Sequence, residues 1–159
     1  MTLKRVFSRG ERKCNDGTGR AFGYDRRRAM IDHLDHLVLT TTNRAACMDF
    51  YTRVLGMTAE TFGAGRLAFR FNGQKINVHE RGREFEPKAH LPVPGALDLC
   101  FIASCPLGDV IARLTACGWP ILDGPVERTG ATGRLRSIYV RDPDLNLIEI
   151  SEQLPEAAS

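Results

Sequence analysis

The 159-residue sequence contains no apolar run near the roughly 18 residues that a membrane-spanning helix needs, so no such span is expected. Its five cysteines, at 14, 47, 100, 105 and 117, form no C-x-x-C pair. An odd count argues against a disulfide framework, and a reducing, cytoplasmic setting is the expectation. Aromatic residues make up only 8%, with a single Trp, and charged residues 26%. That is the composition of an ordinary globular chain. A chain of this length buries roughly two-thirds of its unfolded surface, enough for one domain with a real core.

The net charge of +3 hides an asymmetry. Residues 1–30 carry nine Lys/Arg and three acids, and the rest carry thirteen Lys/Arg and sixteen acids. Arg26-Arg27-Arg28 and the glycines at 10, 17, 19 and 23 follow no helical or strand period, so residues 1–30 read as a disordered basic arm. A solvated tail is the commoner meaning of such an arm, and no nucleic-acid partner is expected. Two other readings are an Arg-rich transit peptide, weakened by Asp16 and Asp25, and a natural start at Met30. The domain is placed at 31–152, with a tail at 153–159.

Within that domain one pattern occurs twice. His36-Leu-Val-Leu-Thr alternates like a half-buried strand, and Asn43 is a good N-cap. Cys47, Phe50, Tyr51, Val54 and Leu55 form a helical apolar stripe that Gly56 ends. Strands are expected near 57–62, 66–71 and 74–80, the last two joined by Asn72-Gly73. The second copy opens at Asp98, with Pro106 starting a helix whose stripe is Leu107, Val110, Ile111 and Leu114, ended by Gly118. Strands near 119–122, 134–141 and 145–150 follow, the last two divided by Asp142-Pro143-Asp144. His36 falls on Asp98 and Gly56 on Gly118 without a gap, the mark of an internal repeat.

The fold class is therefore α+β: two βαβββ modules, at 33–80 and 97–151, in a curled mixed sheet around a cleft. The proline-bearing stretch 81–96 is a linker or functional loop. One helix covers one sheet face, so Leu37, Leu39, Ile76 and Val78 should face the core. His36, Asn77 and His79 should face the opposite way, with Asp98 and Glu149 their counterparts in the second module.

His36, His79, Asp98 and Glu149 stand out on these polar faces. Glu149 lies in the apolar strand Leu147-Ile148-Glu149-Ile150, where an unpaired carboxylate is costly to bury. Two carboxylates about 4 Å apart repel by roughly 4 kcal/mol at an effective dielectric of 20, so a positive group belongs between them. A divalent cation held by two imidazoles and two carboxylates fills that role. A metal-free network through Arg136 and Arg66 is the alternative. A lone strand histidine is more often a hydrogen-bonded or half-exposed residue than a ligand.

His36-Leu-Val-Leu, Phe50-Tyr-Thr-Arg-Val-Leu-Gly-Met57 and Arg141-Asp-Pro-Asp-Leu-Asn-Leu-Ile-Glu-Ile150 resemble the vicinal oxygen chelate superfamily. This group comprises glyoxalase I, the fosfomycin and bleomycin resistance proteins and the extradiol dioxygenases, and the likeness runs from about Leu34 to Glu152. His79-Glu-Arg-Gly-Arg-Glu-Phe-Glu-Pro-Lys-Ala and Pro92-Val-Pro-Gly-Ala-Leu-Asp98 resemble the subgroup called glyoxalase domain-containing protein 5. Some bacterial members of that subgroup bear virulence-protein or dioxygenase-like names. The resemblance implies paired modules, a homodimer, and a divalent ion (Zn, Ni, Mn or Fe) bound on the first and last strands of each module. His36 and Glu149 match family ligands. Asp98 stands where His is common, and the fourth-strand position aligns best with Asn77, with His79 two residues on.

The resemblance also implies a small-molecule substrate and three possible functions. The first is a metal-dependent glyoxalase I-like lyase or isomerase, in which Glu149 moves a proton on a thiol–aldehyde adduct. Arg81, Arg83, Lys88 and Arg128 are then either clamps for its carboxylates or, more commonly, surface charges. The second is an extradiol-type ring-cleavage dioxygenase, with Tyr139 or His90 as acid/base. The third is a non-catalytic protein that sequesters a small molecule. Cys47, Cys117, Phe101 and Trp119 read as packing, and so does Cys100 although it shares the face of Asp98. Gly124-Pro125-Val126-Glu127-Arg128-Thr129-Gly130 lacks the Lys-Ser/Thr of a phosphate loop and reads as a flexible loop that lids the cleft.

Overall fold

The computed structural model describes residues 30–155, so the basic arm and the last residues of the tail lie outside it, apart from Met30 itself. From Leu34 onward the chain is one compact unit. Among the described residues no helix is long and apolar enough to cross a membrane.

The first module runs β1 (His36–Thr41), α1 (Arg44–Asp49), β2 (Thr58–Phe62), β3 (Arg66–Phe71) and β4 (Gln74–Glu80). The second runs β5 (Asp98–Ile102), α2 (Leu107–Ala116), β6 (Asp123–Thr129), β7 (Arg134–Arg141) and β8 (Leu147–Gln153). Asn43 caps α1 by accepting from the Ala46 N–H at 3.1 Å, and the helix widens into π-type turns over Phe50–Val54. Gly56 and Gly118 terminate the two helical segments at φ +79 and +66, where a side chain would be strained.

Each module forms its own four-stranded mixed sheet, in the orders β1-β4-β3-β2 and β5-β8-β7-β6. In both, the first strand pairs in parallel with the last. β1 and β5 are therefore edge strands, and the two βαβββ modules expected from the sequence each contribute one sheet.

The inner faces share a single core. Leu39, Phe50, Tyr51, Val54, Phe69 and Ile76 pack with Leu107, Leu114, Ile138, Val140, Ile148 and Ile150, all nearly inaccessible. The Phe50 ring lies 4.7 Å from that of Trp119, and Phe71 meets Phe101 edge-on at 5.3 Å. Arg113 on α2 crosses to the first module, where it donates to the carbonyls of Val54 and Arg53 at the end of the first helical segment. Those carbonyls have no partner inside the helix, so the guanidinium caps it.

Two expected elements differ. Residues 119–122 form no strand; the Trp119 indole instead donates to the Arg141 carbonyl at 2.9 Å. Most of Gly124–Gly130 is not a loop but β6, paired antiparallel with β7. Gly and Pro together suggested a loop, yet β6 is the outer strand, where a missing N–H breaks no ladder, and its register slips between Asp123 and Val126. The stretch between Glu80 and Asp98 has neither helix nor strand, as its prolines imply.

Candidate functional site

Strand register decides which side chains share a face. In the first sheet His36 pairs with Lys75, Val38 with Asn77 and Thr40 with His79. Alternation then puts His36, Asn77 and His79 on the face away from the core, as expected. In the second sheet Asp98 pairs with Leu147 and Cys100 with Glu149. Asp98 and Glu149 therefore share the corresponding face.

The two registers are the same. Asn77 lies two residues past the partner of His36, and Glu149 two residues past the partner of Asp98. Each module thus offers one donor on its edge strand and one diagonally placed on the neighbouring strand, about 7–8 Å apart at the backbone. The fold repeats the geometry while the sequence changes the chemistry, from His and Asn to Asp and Glu.

Around Glu149 the polar groups are ordered. Ser151 donates to its Oε1 at 3.2 Å, and Ser151 and Ser137, both fully buried, lie 2.8 Å apart. The Cys100 Sγ is 3.4 Å from the Ser151 hydroxyl. Tyr139 stands directly across from Glu149, and its hydroxyl accepts from the Arg128 Nε at 2.9 Å. Arg136 pairs in register with Glu152, which puts it on the opposite face from Glu149. It therefore cannot serve as the counter-charge in a metal-free network there.

The first sheet is different. The Asn77 Oδ1 and the His79 Nδ1 are buried and have no hydrogen-bond partner among the described groups. His79 is 8% exposed, with the Phe85 ring of the long loop 5.8 Å away. Burial holds its pKa below the ordinary value of 6.5; Glu84 opposes this, and Arg66 and Lys88 add to it. Two orphaned, desolvated polar atoms on one face are expensive unless something binds them. An imidazole nitrogen and an amide oxygen are both donors that a divalent cation accepts, so the residues present fit such a group.

Within one chain, however, the four predicted residues do not gather. Among the described residues no three His, Cys, Asp or Glu side chains form a group able to hold a metal ion. His36 is half-exposed, its Nδ1 2.6 Å from the Asp35 carboxylate, and Asp98 is exposed on the edge strand of the other sheet. A cavity of about 670 Å³ runs along the free edge of β5, lined by Met57, Phe71, Phe101, Val110 and Arg113 among others. It reaches Cys100 but none of the four candidate ligands.

Of the candidate substrate clamps, Arg81 and Arg83 are exposed, and Lys88 is paired with Glu86 at 3.0 Å. Cys47 is fully buried, and burial pushes its thiol up to about 12, so packing is its role. Sequence reasoning did not find the serine pair behind Glu149 or the contact of Phe85 with His79. The parity of Ser151 with Glu149 was a usable signal, whereas Phe85 lies in a loop with no period to read.

A family model described as the Glyoxalase/Bleomycin resistance protein/Dioxygenase superfamily matches residues 33–150. The chain is 54% identical over 123 residues to a virulence protein of Salmonella typhimurium, covering 77% of this chain and 85% of that protein. It is 51% identical over 125 residues to a glyoxalase domain-containing protein of Mycosarcoma maydis, covering 79% of this chain and 70% of that one. The crystal structure of the Salmonella protein superposes with a TM-score of 0.77, covering 79% of this chain and all of the other (100%). A lactoylglutathione lyase from Agrobacterium tumefaciens, 21% identical and with a TM-score of 0.59 over 78% of this chain and 96% of its own, shares the fold.

Proposed function

The chain belongs to the glyoxalase/bleomycin resistance protein/dioxygenase superfamily, and from that premise we propose that it is a divalent-metal-dependent lyase or isomerase of the glyoxalase I kind. Its substrate is a small thiol–aldehyde adduct or a similar molecule with two neighbouring oxygens, and it works in the cytoplasm as a homodimer. The observation that carries this reading is the repeated register: a donor pair on each sheet, on the face away from the core and next to an unpaired edge strand.

Two half-sites on separate sheets need a second copy. Unpaired edges with exposed apolar side chains invite pairing, and here Val38 on β1 is 43% exposed and Ile102 on β5 is 52% exposed. Setting β1 of one copy beside β5 of another would bring His36, Asn77 and His79 of one chain to Asp98 and Glu149 of its partner copy. A twofold axis makes two such sites.

Held by His36, His79, Asp98 and Glu149, a divalent ion would supply the electrophile that stabilises negative charge on the substrate oxygens. Glu149 then takes a proton from one carbon and returns it to the adjacent carbon. The Ser151 hydroxyl holds Oε1, which leaves the other carboxylate oxygen to carry the proton. Ser137 in turn fixes Ser151.

The test is metal analysis of the full chain and of Glu149→Ala and His36→Ala, with turnover of the methylglyoxal–glutathione adduct. Stoichiometric metal that is lost in both variants, together with turnover, supports the reading. Metal-free wild type that still binds a small molecule would replace it with a sequestering protein.

One observation favours a second reading, the extradiol-type dioxygenase. The Tyr139 phenol lies directly across from Glu149 and is held by Arg128, as an acid/base for a catechol would be. Oxygen uptake with catechol, lost in Tyr139→Phe, would decide for it.

A further inference from the structure

Arg66 opens β3 on the same sheet face as Asn77 and His79. Its guanidinium carbon lies 4.5 Å from the centre of the Phe62 ring and 5.7 Å from that of Phe85. Phe62 is its cross-strand partner, and Phe85 also touches His79, so one ring bridges the two side chains. On its other flank is Gly63, where a Cβ would stand 3.2 Å from Nη2 and 3.4 Å from Nε. The guanidinium is thus held in place by aromatic faces and a glycine, not by an acid.

That is unusual on this face. Arg70 pairs with Glu60 and Lys75 lies 3.9 Å from Glu60, while Lys88 of the long loop pairs with Glu86. Among the described residues Arg66 has no carboxylate within ion-pair distance, and its hydrogen-bond donors have no protein acceptor. A positioned, half-buried guanidinium without a counter-ion is matched to an incoming one. Because Ala68 pairs with Asn77, Arg66 two residues earlier falls beside His79 and diagonal to Asn77. The diagonal spacing is about 7–8 Å.

Resting on the reading above, in which Asn77 and His79 border the reacting centre, we propose that Arg66 anchors a carboxylate of the substrate, several bonds away from the carbons that react. A single uncompensated cation matches a monoanion, which favours a carboxylate over a phosphate monoester dianion. The exposed part of Phe85 offers apolar surface beside it, so an acid with a flat apolar body fits best.

Benzoate, its neutral isostere benzamide and the dianion phenylphosphonate are titrated calorimetrically into wild type, Arg66→Gln and Arg66→Lys. Metal content and unfolding midpoint are measured on the same samples. The expected result is that benzoate binds wild type and weakens about tenfold or more in Arg66→Gln. Arg66→Lys keeps part of the affinity, benzamide is indifferent to both changes, and metal content is unaltered. Benzoate affinity that is unchanged in a folded Arg66→Gln protein overturns the proposal. So does phenylphosphonate binding more tightly than benzoate with the same dependence on Arg66. Metal-free wild type with Arg66-dependent benzoate binding would sink the lyase reading and leave the anion site standing; bound metal with Arg66-independent binding would do the reverse.

Discussion

The Tyr51 phenol donates to the Asp142 Oδ2 at 3.0 Å across the two modules, and neither residue is more than 2% exposed. Asp142 also accepts from the backbone N–H groups of Asp144 and Asn146 and from the Asn146 amide. Burial, followed by the Asp142 charge, drives the Tyr51 pKa far up, so the phenol remains a donor. Tyr51→Phe keeps the ring stacked on Phe69 but removes one donor from a buried carboxylate. The expected loss is about 1.5–3 kcal/mol of unfolding free energy, read by urea denaturation. An unchanged midpoint would mean the bond is not a link between modules.

A site split between two copies makes a prediction that a one-chain site does not. His36→Ala and Glu149→Ala dimers should each be inactive. Mixed by co-expression, they should recover roughly a quarter of wild-type turnover, the statistical value for random pairing in a twofold dimer with one intact site per mixed pair. Turnover of the unfractionated mixture checks this, and purified mixed dimers should reach about half of wild type, because one of their two sites is intact. No recovery in a demonstrated heterodimer would place the site within a single chain.

The repeat made most of the fold legible. Gly56, Gly118, Asn43 and the hairpin at Asn72-Gly73 mark ends that are local chemistry, and the period-2 alternation of β1, β4 and β8 assigns their faces. β6 was not legible, because Gly124-Pro125 has the composition of a loop and only its outer position makes it a strand. Glu149 could be singled out because a carboxylate among Leu147, Ile148 and Ile150 breaks its own pattern. The Arg66–Phe85 contact could not: it joins a strand to an aperiodic loop, and nothing in either segment points to the other. That β1 and β4 with His36 and His79 lie in one sheet, and β5 and β8 with Asp98 and Glu149 in another, is a tertiary fact.

Stability should depend on pH through His79. The unfolded chain takes up a proton on this side chain near pH 6.5, whereas burial holds the folded pKa lower. The unfolded state therefore binds more protons in this range, and the contribution is whole above about pH 6.5 and lost as pH falls toward the folded pKa. Urea unfolding of chelator-treated protein between about pH 7.5 and 5.5 should show this decline. His79→Gln should flatten it, and an equal slope in that variant would assign the dependence elsewhere.

The cysteines should separate by reactivity. With its thiol pushed up to about 12 and no exposed surface, Cys47 should resist iodoacetamide in the native protein. Exposed Cys105 should react freely. Peptide mapping after alkylation checks both, and early labelling of Cys47 would show that the shared core opens.

Gly124 permits a close approach that also supports the site. Its φ is +99, and a Cβ there would lie 2.5 Å from the Ser137 carbonyl oxygen and 3.0 Å from the Ile138 Cα, both backbone atoms of β7 that cannot rotate away. Gly65 has φ +82 with nothing within 4 Å, so alanine there meets backbone strain alone. Gly65→Ala should cost about 1 kcal/mol, and Gly124→Ala should cost about 1–3 kcal/mol more, because β6 must move off β7. That movement displaces Ser137, which is hydrogen-bonded to the Ser151 that holds Glu149. Gly124→Ala should therefore lower turnover as well as stability, whereas Gly65→Ala should lower stability only. Equal losses of stability in the two variants, measured by urea denaturation, would refute the close approach.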